Sequence, residues 1–293
     1  MNFSQYCTVG SRTGIVRGTV NDAGQAWRRE GLGELSSVGP AASSPESTAA
    51  LELWFADLDD FMPWLTRDAD LALLSADERQ RAASMSSPEV REHFLLSRLL
   101  LRRVLGARLF EPQAVHRGDA STDSRLEFVQ GEHGKPALLC GDASSVALPQ
   151  FNLSHCRGAW LLGVSRTAAI GVDIERPRRV DNALRLATRV FTAAERAALI
   201  AADEITVDER DAYFLRCWTR KEAVLKAMGS GFASPAVDIE VSTSTGPLSV
   251  TLPGAAKTTA RVASLSLPIP GFAAWALMDD GDFPVPRLRW LHP

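Results

Sequence analysis

Asp173 and Glu175 alternate with Ile170, Val172 and Ile174 in the run IGVDIE. On an extended strand the two carboxylates share one face, about 7 Å apart, while the aliphatic residues fill the other. Side-by-side acids repel unless a cation sits between them. The same alternation also describes a strand with one solvated face, so two acids alone are a weak sign of a metal site. The segment FLRCWTRKEAVLKAMG, residues Phe214 to Gly229, changes that balance. At 100° per residue Phe214, Trp218, Leu225 and Met228 form one stripe of a helix, yet Lys221 lies within the stripe and Glu222 at its edge. Charges at such positions need partners. A magnesium ion shared by Asp173, Glu175 and Glu222 supplies one for Glu222. Three hard oxygen ligands leave room for water and a substrate phosphate, which is how Mg²⁺ is commonly held. Lys226, one turn beyond Glu222, reads as its i,i+4 partner. Lys221 has only snorkelling of its long stem as an alternative to a buried contact.

These residues must be positioned by strands and helices that the pattern also predicts. LELWFADLDD from Leu51 reads as a strand, SADERQRAASM starts a helix capped by Ser75, and Ser87-Pro88 opens a second helix running to a stop at Gly106. GAWLLGVS and AAIGVDIE read as two strands of a hairpin turning at Arg166-Thr167. Helices follow at NALRLATRVF, at TAAERAALIAA behind Thr192, and through Phe214 to Gly229. The C-terminal runs IEVS, LSVTL, RVASLSL and FAAWALM read as strands. Helices and hairpins without a βαβ rhythm predict an α+β fold. Residues 1–50, rich in Gly, Ser, Ala and Thr, read as a flexible extension. They precede an N-terminal subdomain over 51–168 and a C-terminal subdomain with the metal site over 169–293.

The 293 residues suffice for one large domain or two ordinary ones, and 45% hydrophobic with 23% charged residues describes a globular chain. A net charge of −3 argues against nucleic acid as the main partner. Cys7, Cys140, Cys156 and Cys217 form no zinc-type cluster and read as free thiols of a cytoplasmic protein. No apolar run reaches the roughly 20 residues of a membrane span. No serine or cysteine nucleophile with a paired base is apparent.

GVDIE (Gly171–Glu175) and WTRKEAVLKAMG (Trp218–Gly229), together with GKPAL at Gly134, Lys135 and Pro136 and FNLSHC at residues 151–156, resemble the ordered motifs of the 4′-phosphopantetheinyl transferase superfamily, in its larger Sfp-type branch. The resemblance covers residues 134–229, and 75–106 more loosely. It implies a pseudo-dimer of two similar α+β halves with the active site in the cleft between them. It also implies transfer of the 4′-phosphopantetheine arm of coenzyme A to a serine of an apo acyl or peptidyl carrier protein, the activity of a holo-[acyl-carrier-protein] synthase, by a monomer. Adenosine 3′,5′-bisphosphate is the leaving product.

On the same resemblance Asp173, Glu175 and Glu222 are magnesium ligands, with Glu222 also a base, and Lys226 contacts the pyrophosphate. His155 and Ser154 bind coenzyme A phosphate, Lys135 and Pro136 line the adenine side, and Arg98 and Arg81 grip the 3′-phosphate. Cys156 departs from the small hydroxyl residue common at its position. Serine attack on a pyrophosphate builds charge on phosphoryl oxygens, so cations and positioning carry such catalysis, which suits Lys226, His155 and Mg²⁺. Carrier helices of the family tend to be acidic, which makes Arg176, Arg178, Arg179 and Arg220 candidate docking charges. A non-catalytic coenzyme A or carrier-binding module is the alternative reading.

Overall fold

Strands that are apolar on both faces belong to sheets covered on both sides, and this chain builds two of them. The computed structural model describes residues 27–31, 50–109, 126–130, 136–139, 148–229, 236–241, 246–253 and 258–293. One sheet joins β1 (Arg28–Gly31), β2 (Leu51–Asp57), β5 (Gln150–Cys156), β6 (Ala159–Ser165) and β11 (Arg287–His292) in the order β1-β11-β2-β6-β5. The other is antiparallel, β7-β10-β9-β8, from β7 (Ile170–Glu175), β8 (Leu248–Thr251), β9 (Thr259–Leu265) and β10 (Phe272–Leu277). A small ribbon pairs β3 (Phe128–Gln130) with β4 (Pro136–Leu138).

The two larger sheets pack face to face, with Leu53, Phe55 and Leu161 of one meeting Val172, Ile174 and Trp275 of the other. Gly163 lets them close, because a Cβ there would stand 2.6 Å from both Ile170 Cδ1 and Val172 Cγ1. Helices cover the outer faces. On the first sheet, α3 (Pro88–Leu109) sets Leu96, Leu100 and Val104 against Trp54, Trp160 and Leu162. On the second, α6 (Val207–Met228) sets Phe214, Val224 and Ala227 against Val262, Ala274 and Ala276. The order helix, sheet, sheet, helix is an α+β architecture.

Each long helix follows shorter ones: α1 (Asp68–Leu71) and α2 (Ala76–Ala83) before α3, and α4 (Ala183–Val190) and α5 (Ala193–Ile205) before α6. Helices α2 and α5 open with reciprocal capping boxes, Ser75 with Glu78 and Thr192 with Glu195, which satisfy two otherwise orphaned N–H groups each. Both capping glutamates also bind a buried cation of the following long helix. Glu78 Oε2 accepts from Arg102 Nε at 2.9 Å, and Glu195 Oε2 lies 2.8 Å from Lys221 Nζ. The same device therefore recurs beside each of the two sheets.

Several expectations change. GAWLLGVS and AAIGVDIE are not a hairpin: β6 pairs with β2 and β5, whereas β7 pairs with β10 in the other sheet. The hairpin is β5–β6, turning at Arg157 and Gly158 with φ of 46° and 79°, the left-handed pair of a tight two-residue turn. The first helix after Ser87 continues through Gly106 to Leu109. IEVS forms no strand at 239–241 among the described residues. Within 1–50, the stretch expected to be a flexible extension, Arg28–Gly31 pairs in parallel with β11. Strand β11, from the segment expected to build the second subdomain, completes the first sheet.

Candidate active site

Strand β7 offers Gly171, Asp173 and Glu175 on the face turned to α6. Gly171 sets the distance, since a Cβ there would fall 2.0 Å from the Ala223 carbonyl oxygen and 2.4 Å from the Ala227 nitrogen. The helix backbone thus lies directly on the strand. That contact delivers the next turn of α6 to the acids: Lys226 Nζ lies 2.6 Å from Asp173 Oδ1 and 3.1 Å from Ser154 Oγ. Ser154 Oγ in turn donates to Asp173 Oδ1 at 2.9 Å.

The electrostatics follow from crowding acids in a cleft. Burial, opposed by Lys226 and reinforced by Asp173 and Glu175, pushes the Glu222 carboxyl up to about 7. Burial and then Asp173 also raise Glu175, against Arg178 and a hydrogen bond from Cys156. Lys226 is 28% exposed along one flank although protein surrounds it. Burial alone lowers its pKa, but Asp173, Glu222 and Glu175 more than reverse this and hold the ammonium charged. His155, next to Ser154 on β5, is exposed to solvent while protein crowds its other side. Desolvation first, then Lys226 and His93, lower it to about 4, so at neutral pH it is an uncharged donor and acceptor.

Among the described residues no three His, Cys, Asp or Glu already stand gathered around a metal position. Nevertheless Asp173 Oδ2 and Glu222 Oε1 are buried without a hydrogen-bond partner. Buried carboxylate oxygens are rarely left unmatched. Two such atoms beside a third acid, all hard donors, form a set suited to a divalent cation of the magnesium type.

Asp173, Ser154 and Lys226 therefore meet directly, with Glu175 and Glu222 within their field, and His155 feels Lys226. Arg98 and Arg81 have partners of their own: Arg98 Nε lies 2.5 Å from Glu78 Oε1 and its guanidinium covers Phe128, while exposed Arg81 covers Phe94. Pro136 begins β4, and Lys135 lies outside the described residues.

Lys221 is fully explained by structure: buried against Glu195, it also donates to the carbonyls of Ala236 and Ile239. The contact joins α6 to α5 and to the 236–239 segment, which pack in the same core cluster. Arg220 is 0% exposed and donates to Gly246 O and Ser264 Oγ, so it cannot be a docking charge. Arg176 and Arg178 are held by Asp57 and Glu175, and exposed Arg179 faces Asp208 and Asp211. Sequence reasoning placed Asn152 and Cys156 in a motif but missed their contacts to Val172 N and Glu175 Oε2. Their signal was the i, i+2, i+4 spacing with Ser154, which puts all three on one face of β5.

Residues 169–276 match the family described as the 4′-phosphopantetheinyl transferase superfamily. The chain is 36% identical over 163 residues to the 4′-phosphopantetheinyl transferase HetI of Nostoc sp., covering 55% of this chain and 62% of the relative. It is 28% identical over 168 residues to the 4′-phosphopantetheinyl transferase ffp of Bacillus subtilis, covering 57% and 66%. It is 41% identical over 103 residues to the 4′-phosphopantetheinyl transferase AcpT of Salmonella typhimurium, covering 35% and 50%. The chain thus spans between half and two thirds of the length of these relatives.

Proposed function

We propose that this chain, whose residues 169–276 match the 4′-phosphopantetheinyl transferase superfamily, transfers the 4′-phosphopantetheine moiety of coenzyme A to a serine of an apo acyl or peptidyl carrier protein. The products are holo carrier and adenosine 3′,5′-bisphosphate. The observation that carries this reading is the meeting of β7 and α6, where Lys226 Nζ stands 2.6 Å from Asp173 Oδ1 beside two further carboxylates.

Asp173, Glu175 and Glu222 would hold Mg²⁺, which when bound neutralises charge on the pyrophosphate oxygens. Lys226, kept protonated by the surrounding acids, offers its Nζ–H groups to the same pyrophosphate and steadies the leaving bisphosphate. Glu222 Oε1 is buried and unmatched, and its carboxyl titrates near neutrality. A base poised there accepts the proton of the carrier serine directly or through water. His155, neutral in its cleft, donates one ring N–H to a coenzyme A phosphate while Ser154 orients Asp173 and Lys226. Arg98 and Arg81, both on the first half, are assigned to the coenzyme's 3′-phosphate, and Pro136 with Lys135 to its adenine side. The protein acts as a monomer, with the site in the cleft between two related halves.

Purified protein, coenzyme A, Mg²⁺ and an apo carrier should give a holo carrier, seen by intact-mass spectrometry as addition of one phosphopantetheine. No addition to any of a panel of fatty acid, polyketide and peptidyl carriers would overturn the proposal.

A further inference from the structure

Among the described residues strand β7 is the edge of its sheet, paired with β10 on one side only. Against it stand three alternate side chains of β5 from the other sheet. Asn152 Oδ1 accepts from the Val172 N–H at 2.8 Å, Ser154 Oγ donates to Asp173 Oδ1 at 2.9 Å, and Cys156 Sγ donates to Glu175 Oε2 at 3.3 Å. These contacts form a ladder of side chains in the place of a backbone ladder. The first rung fixes the strand backbone and the second orients Asp173. The third has no part in the chemistry proposed above, and its residue departs from the small hydroxyl expected there.

Glu175 has three side-chain torsions, and ordering such a side chain costs rotamer freedom. Cys156 and Arg178, whose Nε is 3.5 Å away, both engage Oε2, leaving Oε1 to a ligand. We propose that Cys156 is a positioning residue, which holds Glu175 in the rotamer that faces the acid cluster and thereby sets the affinity of this site for a divalent cation. The inference rests on the reading of Asp173, Glu175 and Glu222 as metal ligands. A thiol is a weak donor, so its share is at the low end of what outer-shell partners contribute, roughly tenfold in metal affinity. A serine hydroxyl there would serve at least as well.

The test is Mn²⁺ binding followed by the electron paramagnetic resonance signal of the free ion, on the full chain without coenzyme A or carrier. Cys156→Ala should weaken Mn²⁺ binding roughly tenfold while Cys156→Ser keeps it, with the KM for coenzyme A unchanged in both. Should the alanine variant fail to fold, Cys156→Val keeps the volume without a donor and takes its place. Wild-type protein that binds no Mn²⁺ would overturn the metal reading itself. Wild-type binding with an unaffected alanine variant would overturn the role of Cys156 alone. Equal loss in the alanine and serine variants would assign the effect to packing and likewise overturn it.

Discussion

Lys221 Nζ lies 2.8 Å from Glu195 Oε2, with the two side chains 1% and 0% exposed. The same carboxylate caps α5 through the Thr192 N–H and accepts from Val241 N at 2.9 Å, so one glutamate joins α5, α6 and the 236–241 segment. Removing one partner of a buried pair strands the other charge, which costs about 3–5 kcal/mol. Lys221→Met should lower unfolding stability by that order in urea titrations. Adding Glu195→Gln should restore part of the loss, because the stranded charge is gone. A double variant less stable than Lys221→Met would show that the capping contacts of Glu195 outweigh the ion pair.

Glu222 predicts a stability that changes with pH. Its carboxyl is raised from 4.5 to about 7, chiefly by burial. The folded chain therefore holds this proton more tightly than the unfolded chain. The stabilising contribution is complete below 4.5 and is lost as pH rises through about 7. By pH 8 the loss is roughly 2–4 kcal/mol without metal. Glu222→Gln should then melt higher than wild type at pH 8 in chelator, and show a flatter profile between pH 5 and 8. Adding Mg²⁺ should raise the melting temperature of wild type and leave the variant unmoved.

What the sequence disclosed and what it hid divide along physical lines. Alternation in IGVDIE placed Asp173 and Glu175 on one face, and helical period singled out Lys221 and Glu222, because both patterns are local. Both capping boxes were half-visible for the same reason, Ser75 and Thr192 being readable as caps. Pairing partners were not legible. Strand β6 is buried throughout and β7 nearly so, and a run buried on both faces says nothing about which neighbour it bonds to; only Arg157-Gly158 marked the true turn. The partner of Lys221 was equally hidden, since Glu195 lies on another helix and reads locally as a cap. Strand β1 has no periodicity of its own and exists through β11, almost the whole chain away.

Arg98 separates a phosphate-binding role from a structural one. Its Nε is 2.5 Å from Glu78, yet Arg102, 3% exposed and 2.9 Å from the same carboxylate, already matches the place that Lys221 takes on Glu195. Arg98 is the additional cation. If it grips the 3′-phosphate, Arg98→Ala should reduce kcat/KM for coenzyme A about tenfold, the scale of one charge-assisted contact. Turnover of 3′-dephospho-coenzyme A should be unchanged. Equal losses on the two substrates, accompanied by a lower urea midpoint, would confine Arg98 to holding Glu78.

Gly171 links fold to chemistry, since its missing side chain lets α6 lie directly against β7. An added methyl at Gly171 meets main-chain atoms, Ala223 O at 2.0 Å and Ala227 N at 2.4 Å, and no rotamer change relieves a clash with backbone. Either the helix lifts or the strand withdraws, and both motions pull Lys226 away from Asp173. Overpacking of this kind costs about 1–3 kcal/mol, and more where backbone is the obstacle. Gly171→Ala should therefore lose stability and transfer together. Gly163 provides the contrast: its methyl would meet only the ends of Ile170 and Val172, 2.6 Å away but on side chains that can yield. Gly163→Ala should cost stability while Lys226 stays on Asp173, so the transfer rate of the folded fraction persists. Measuring rate per folded molecule, with folding followed by circular dichroism, distinguishes the two. Full activity in Gly171→Ala would mean that the approach of α6 to β7 is not what assembles the site.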